Sequence, residues 1–348
     1  MLLAAGLDRR IHERLSAELA EVESRFAAEL VSDLTCVNDL VTHVERYRGK
    51  MLRPMLVLVS GMASAPAISG QSGRAVDVND AHRVIATVVE MVHMATLVHD
   101  DILDEAEVRR QGTTVNALNG NEAAVMLGDY LISHAYHLCS SLAQPRISRM
   151  IADATNTVCE GELLQLANRN NWDLDEGTYF ESIRRKTASL TGGCCQLGAI
   201  LHEGATETLG DAMYEYGEKV GVAFQVVDDL LDLVGEEKTV GKSLGRDLAK
   251  GKLTLPMIHY LATADGAKRK QMLALIKSIG TESNADAANL RSVTEVRGLV
   301  TASDSMDYAR RTARRLIDEA KASLAALPES AARTLLCDMA DAVLSRKS

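Results

Sequence analysis

The 348-residue chain is acidic, with a formal net charge of −10, and only 3% of its residues are aromatic. That balance argues against a nucleic-acid partner, because a phosphate backbone is bound by a basic surface. Six cysteines occur without a CxxC pair or a His at zinc-ligand spacing, which argues against a structural zinc site. The adjacent Cys194 and Cys195 read as small packing residues, and reduced thiols fit the cytoplasm. The N-terminal MLLAAGLDRR holds too short an apolar run for a signal peptide or a membrane span. No break in composition divides the chain, so residues 1–348 are read as one domain.

Helical periodicity runs nearly throughout. In residues 8–31, Ile11, Leu15, Leu19, Val22 and Phe26 recur at three- and four-residue steps. The same pattern predicts helices at about 36–47, 53–63, 78–104, 121–143, 147–168, 177–203, 207–234, 255–264, 267–279, 287–299, 304–325 and 329–345. The five prolines, Pro54, Pro66, Pro145, Pro256 and Pro328, are placed at helix starts or in connections, where a missing N–H does no harm. No strand is expected. Candidate loops are Ala65–Ala75, Glu105–Gly120, Arg169–Gly177, Gly235–Gly251 and Thr281–Asp286. The expected class is therefore all-α. The long helices between 78 and 234 form its central bundle, and the last third covers it.

Two acidic pentapeptides stand out, DDILD at Asp100–Asp104 and DDLLD at Asp228–Asp232. Each ends an apolar run. Positions i and i+4 share a helix face, so Asp100 pairs with Asp104 and Asp228 with Asp232. Two such faces aimed at each other make a cage of hard oxygen ligands suited to Mg²⁺. Asp101 and Asp229 are further candidate ligands. Basic residues cluster nearby: Lys50 and Arg53 in GKMLRP, His93 two turns before Asp100, and Arg109 and Arg110 after Asp104. A second basic segment, GKSLGRDLAKGKLTLP at 241–256, follows the second acidic motif; Gly241, Gly245 and Gly251 permit close backbone approach, and Lys242 and Lys252 could close over an anion. Metal-seeking carboxylates beside separate basic clusters imply two polyanionic ligands. That suits a reaction in which diphosphate leaves one substrate while a second waits alongside. Water must be kept from the resulting carbocation, which an apolar bundle interior would do.

The segments GKMLRP, EMVHMATLVHDDILDEAEVRRQGTTVN at 90–116, GNEAAVMLGDYL at 120–131, EGELLQL at 160–166, KTASL at 186–190 and FQVVDDLLDLVGEEKTVGKSLGRDLAKGKLTLP at 224–256 resemble, in order and spacing, the trans-isoprenyl (polyprenyl) diphosphate synthases. The resemblance implies an isoprenoid-synthase helical bundle with a central cavity, Mg²⁺ as cofactor, and isopentenyl diphosphate and an allylic prenyl diphosphate as substrates. It implies metal ligation by Asp100, Asp104 and Asp228, with Asp101, Asp229 and Asp232 behind them. It assigns Lys50, Arg53, His93 and Arg110 to isopentenyl diphosphate. Arg109 goes to the allylic diphosphate, with Lys186, Thr187, Gln225, Lys242 and Lys252 on the same side. Asp100, Asp104, Arg109, Lys186, Asp228 and Lys242 are then the expected catalytic residues. The family is commonly homodimeric, and membrane contact would be at most peripheral, for product release. Arg48 before Gly49 departs from the usual glycine pair, leaving Lys50 and Arg53 intact.

In this family the growing chain passes the residues one turn before the first motif. Ala95 and Thr96 are small there, and Met91 and Val92 below them are not aromatic, so a medium-to-long product is expected. A short-chain synthase, a class I terpene cyclase and a non-catalytic synthase subunit are the alternatives. His82 is read as a surface residue and His99 as a packing or hydrogen-bonding neighbour of Asp100.

Overall fold

The computed structural model describes residues 9–45, 49–69, 78–109, 112–234, 245–279 and 285–346. The helices, in chain order, are α1 (Arg9–Glu29), α2 (Thr35–Glu45), α3 (Leu52–Ser69), α4 (Asp80–Leu103), α5 (Val115–Ser140), α6 (Pro145–Ala167), α7 (Glu176–Ile183), α8 (Ser189–Ile200), α9 (Glu207–Val234), α10 (Arg246–Ala249), α11 (Leu255–Thr263), α12 (Gly266–Ser278), α13 (Ala285–Thr301), α14 (Ser305–Ser323) and α15 (Ala331–Leu344). A π turn, Arg184–Ala188, joins α7 to α8. The chain divides into two compact units. One comprises Met1–Asn156, Leu190–Glu218 and Ala320–Met339; the other comprises Thr157–Ser189, Lys219–Glu319 and Ala340–Ser348.

The first unit is organised around α4. Val84, Ile85, Val88, Val89, Met91, Val92, Met94, Ala95 and Val98 are all buried, so this helix is apolar nearly all round. It packs against α5, α3 and α1. By length and composition α4 could cross a membrane, but 72% of its most apolar window is buried inside the protein. Its start is fixed by a capping box: Asn79 Oδ1 accepts from His82 N at 3.2 Å, and the His82 ring accepts from Asn79 N. His82 is therefore a core residue, completely buried, and the surface reading is corrected. Its Nε2 lies 3.0 Å from the Gly198 carbonyl, and burial, with His202 alongside, lowers its pKa to about 3.

In the second unit α7 packs on α11, and α11, α12 and α13 pack on one another. Asp265 caps α12 by accepting from Ala267 N and Lys268 N at 3.1 and 2.9 Å. Tyr308 on α14 donates to Glu176 at the start of α7, 2.7 Å away.

The helical expectation holds, with five local corrections, one being the short helix α10 inside the segment Gly235–Gly251 read as a loop. Among the described residues the only strands are β1 (Val108–Arg109) and β2 (Gly112–Thr113), an antiparallel pair inside the expected Glu105–Gly120 loop. Helix α5 begins six residues earlier than expected, with Thr114 as its cap, and kinks at Gly120 (φ 83°), a value glycine adopts without strain. The expected helix over 177–203 is interrupted by the π turn. Helix α3 continues through Pro66 to Ser69, into the segment read as a loop.

Candidate active site

The first acidic motif forms the last turn of α4. Its three aspartates are not equivalent. Asp100 and Asp104 are half-buried, whereas Asp101 is 2% exposed. Asp101 lies three and seven residues after Val98 and Met94, which puts it on the buried stripe of the helix. A carboxylate there needs a partner. Arg109 on β1 supplies it: its Nε lies 2.8 and 3.0 Å from the two carboxylate oxygens, and its Nη2 lies 2.8 Å from Oδ1. This fork is the geometry a guanidinium offers a carboxylate. The chain is folded back to make it. Ala106 N donates to the Asp101 carbonyl at 2.8 Å, Thr114 Oγ1 to the Ala106 carbonyl at 2.6 Å, and Asn116 Nδ2 to the Ala106 carbonyl at 3.1 Å. Thus Asp101 is committed to Arg109, and the Arg109 fork is committed to Asp101.

Lys50 is exposed ahead of α3; Arg53 and His93 are half-buried on α3 and α4. The charges of Arg53 and of buried Glu90 both reach the thiol of Cys194, which places the three in one neighbourhood. Burial raises Cys194, and pushes Cys195 up to about 12, so both are inert packing thiols as expected. His99 reaches α5: its Nε2 lies 3.3 Å from the Val125 carbonyl and 3.7 Å from Asp129 Oδ1. Arg110 lies outside the described residues.

The second motif repeats the split. Asp228 is exposed, Asp232 is half-buried and Asp229 is 4% exposed. Asp229 follows Val222 and Val226 on the buried stripe of α9 by the same seven- and three-residue steps. It accepts from the Tyr179 hydroxyl at 2.6 Å and from Gln225 Nε2 at 2.8 Å; Thr187 Oγ1 in turn donates to Gln225 Oε1 at 3.1 Å. Burial, reinforced by the charge of Asp247, raises the Asp229 carboxyl well above the usual range, against the hydrogen bonds from Tyr179 and Gln225. Burial and Asp229 likewise raise the Tyr179 phenol, which stays protonated and donates. Arg346, near the C-terminus, holds Asp228, with Nη2 3.1 Å from Oδ1. Asp232 Oδ2 accepts from Asp247 N at 3.2 Å, and its carbonyl accepts from Gly245 N at 2.9 Å.

Lys186 and Thr187 sit in the π turn, a distortion frequent at functional sites. Lys186 ion-pairs with Glu162 and donates to Gln165 Oε1 at 3.1 Å, both on α6. Lys252 is half-buried, and its backbone N donates to the Asp247 carbonyl at 2.9 Å. Gly245 and Gly251 are packed against side chains: a Cβ would meet Val293 Cγ1 at 2.4 Å and Asn170 Oδ1 at 2.2 Å, respectively. Lys242 and Gly241 lie outside the described residues. Sequence reasoning missed Glu162, Gln165, Tyr179, Asp247 and Arg346. The burial of the two middle aspartates was readable from the apolar stripe of each helix; the identity of their partners was not.

The donors present are hard oxygens, four of them on the less buried faces of two helix ends, which is the chemistry Mg²⁺ prefers. Among the described residues no three acidic, His or Cys side chains converge into a ready metal cage. Ligand oxygens would have to complete the coordination, the usual arrangement for Mg²⁺ shared with phosphates.

A family model described as polyprenyl synthetase matches residues 35–294. Octaprenyl diphosphate synthase of Escherichia coli strain K12 is 32% identical over 338 residues, covering 97% of this chain and 98% of its own. The crystal structure of a decaprenyl diphosphate synthase from Rhodobacter capsulatus is similar at a TM-score of 0.85 and 32% identity, covering 97% of this chain and 99% of its own. That of a polyprenyl synthase from Caulobacter crescentus CB15, complexed with calcium and isoprenyl diphosphate, is similar at 0.86 and 28% identity, covering 99% and 100%.

Proposed function

Since this chain belongs to the polyprenyl synthetase family and is a trans-polyprenyl diphosphate synthase of the medium-to-long-chain type, we propose that it uses Mg²⁺ and the residues described above to join isopentenyl diphosphate to an allylic diphosphate. The observation that carries the site assignment is the division of labour repeated in both acidic motifs. In each, the middle aspartate is buried against protein groups, and the outer two lie on the less buried face.

In this reading Asp100, Asp104, Asp228 and Asp232 are the metal ligands. Asp101 and Asp229 orient them from behind. When bound, Mg²⁺ supplies charge neutralisation for the departing diphosphate. Lys186, Thr187, Gln225, Lys242 and Lys252 hold the allylic diphosphate. Arg109, held by its fork on Asp101, serves the same ligand. Lys50, Arg53, His93 and Arg110 hold isopentenyl diphosphate. The apolar surroundings of α4 keep water from the carbocation. Its double-bond partner attacks, and the released diphosphate is the base that takes the proton, so no protein base is required.

Small residues at Ala95 and Thr96 leave the path of the growing chain open. The whole chain acts as one catalytic domain in the cytoplasm, where its six free cysteines stay reduced. Its acidity disfavours nucleic acid. Leu118, Val125 and Met126 on α5, and Val31 and Leu34 before α2, are large exposed apolar residues, and α2 packs on α5. A second copy of the chain covering that surface would give the homodimer.

The test is an incubation of purified protein with labelled isopentenyl diphosphate, a farnesyl or geranylgeranyl primer, and Mg²⁺ or a chelator. The expected result is label in a product longer than the primer, only with Mg²⁺. A terpene cyclase would incorporate no label.

A further inference from the structure

Helix α6 and the π turn meet along three consecutive residues. A Cβ on Gly161 would lie 2.3 Å from Lys186 N and 2.8 Å from Arg185 C, so only glycine lets the two backbones approach this closely. The residues on either side straddle the contact. Glu160 ion-pairs with Arg185, and Glu162 with Lys186. Three residues on, Gln165 accepts from the same lysine at 3.1 Å. The Lys186–Glu162 pair is the more enclosed of the two, its side chains 22% and 15% exposed.

A lysine side chain carries large rotamer entropy and, unlike arginine, has no rigid fork to organise its donors. Ordering it as a ligand binds costs affinity; ordering it beforehand removes that cost. An ammonium anchored on two acceptors of one helix is held in one orientation. Here the anchors are on one helix, the lysine is in an irregular turn, and the glycine between them fixes their separation. Arg184 is held instead by Glu181 of α7, and Arg185 is shared between Glu181 and Glu160, so only Lys186 is anchored on α6 by two side chains.

We propose that Glu162, with Gln165, is a positioning residue for the synthase reaction, setting the Lys186 ammonium in place before the allylic diphosphate arrives. This rests on the reading of Lys186 as a ligand of that diphosphate.

A double-mutant cycle on the full chain separates the two claims. Steady-state KM values for both substrates are measured for wild type, Glu162→Ala, Lys186→Ala and the double variant. Losing a charge-assisted contact is expected to raise the allylic KM about tenfold in each single variant, with the isopentenyl diphosphate KM within about twofold of wild type. In the Lys186→Ala background, Glu162→Ala should add less than about twofold, because its target is gone. Glu162→Gln keeps an acceptor oxygen and should return the allylic KM to within about threefold of wild type. If Glu162→Ala does not fold, the isosteric Glu162→Gln runs the same cycle, with its threefold rise again vanishing without Lys186. An unchanged allylic KM in Glu162→Ala while Lys186→Ala raises it, or an effect that persists in full without Lys186, overturns the inference alone. An unchanged allylic KM in Lys186→Ala overturns the reading of Lys186, and the inference with it.

Discussion

Arg346 reaches back from the C-terminal segment to Asp228: its Nη2 lies 3.1 Å from the carboxylate Oδ1, and its guanidinium stacks 3.9 Å over the ring of Phe224. The pair is separated by 118 residues in sequence. If Asp228 is a metal ligand, the arginine and the metal compete for it. Arg346→Ala is therefore expected to tighten Mn²⁺ binding to the substrate-free protein by about two- to fivefold, the scale of a partly exposed ion pair. Calorimetric titration reads this directly. Unchanged or weaker affinity would show that the arginine and the metal use different groups.

Arg109 has a different relation to its aspartate, because Asp101 is buried. Removing one member of such a pair leaves an uncompensated charge in the interior. Arg109→Ala should cost about 3 kcal/mol of stability, and Arg109→Lys should recover only part of it, since an ammonium cannot reproduce the fork. Urea midpoints measure both. A midpoint unmoved in Arg109→Ala would mean that the hairpin carrying the arginine contributes nothing to holding Asp101.

His82 provides a pH signature away from the site. Its folded pKa is lowered to about 3 from an ordinary 6.5, so the folded chain favours the neutral ring. Between those values the unfolded chain binds the extra proton. The contribution of His82 is thus present above pH 6.5 and is lost as pH falls towards 3. Between pH 8 and pH 5 the loss should be about 2 kcal/mol. Comparing thermal unfolding of wild type and His82→Gln at the two pH values isolates it. The variant should be the less stable at pH 8 and should lose less on acidification; parallel losses would contradict the buried neutral ring.

Ala95 is completely buried on α4, and Thr96 beside it is half-buried, with its hydroxyl donating to the His93 carbonyl at 2.7 Å. Ala95→Phe should shorten the product, measured by chromatography of extracted chains. The added ring also costs about 1–3 kcal/mol of overpacking, so Thr96→Phe, at the less enclosed position, is the companion variant. Product length unchanged in both would refute this turn of α4 as the wall that limits growth.

Most of the helical framework was legible in the sequence because apolar periodicity survives over long segments, and α4 and α9 carry it almost without a break. What escaped was short or irregular. The β1–β2 hairpin pairs two residues with two, too few for an alternation to register. The π turn adds one residue to a helix and barely disturbs its pattern. Chain order and residue type pointed to both acidic pentapeptides, with Asp100, Asp104 and Asp228 ahead of Asp101, Asp229 and Asp232. The groups behind them were hidden because they come from far away: Tyr179 is 50 residues from Asp229, and Glu162 is 24 from Lys186. Only contacts made by folding bring those pairs together.

The central claim is that both acidic helix ends serve one metal-dependent step. It is tested most directly by turnover of Asp100→Ala, Asp228→Ala and the double variant at saturating Mg²⁺ and substrates. Each single change should lower turnover by about a hundredfold or more, and the double variant should fall little below the worse single one, as expected of groups acting as a unit. A single variant with near wild-type turnover, or losses that multiply in the double variant, would contradict the account.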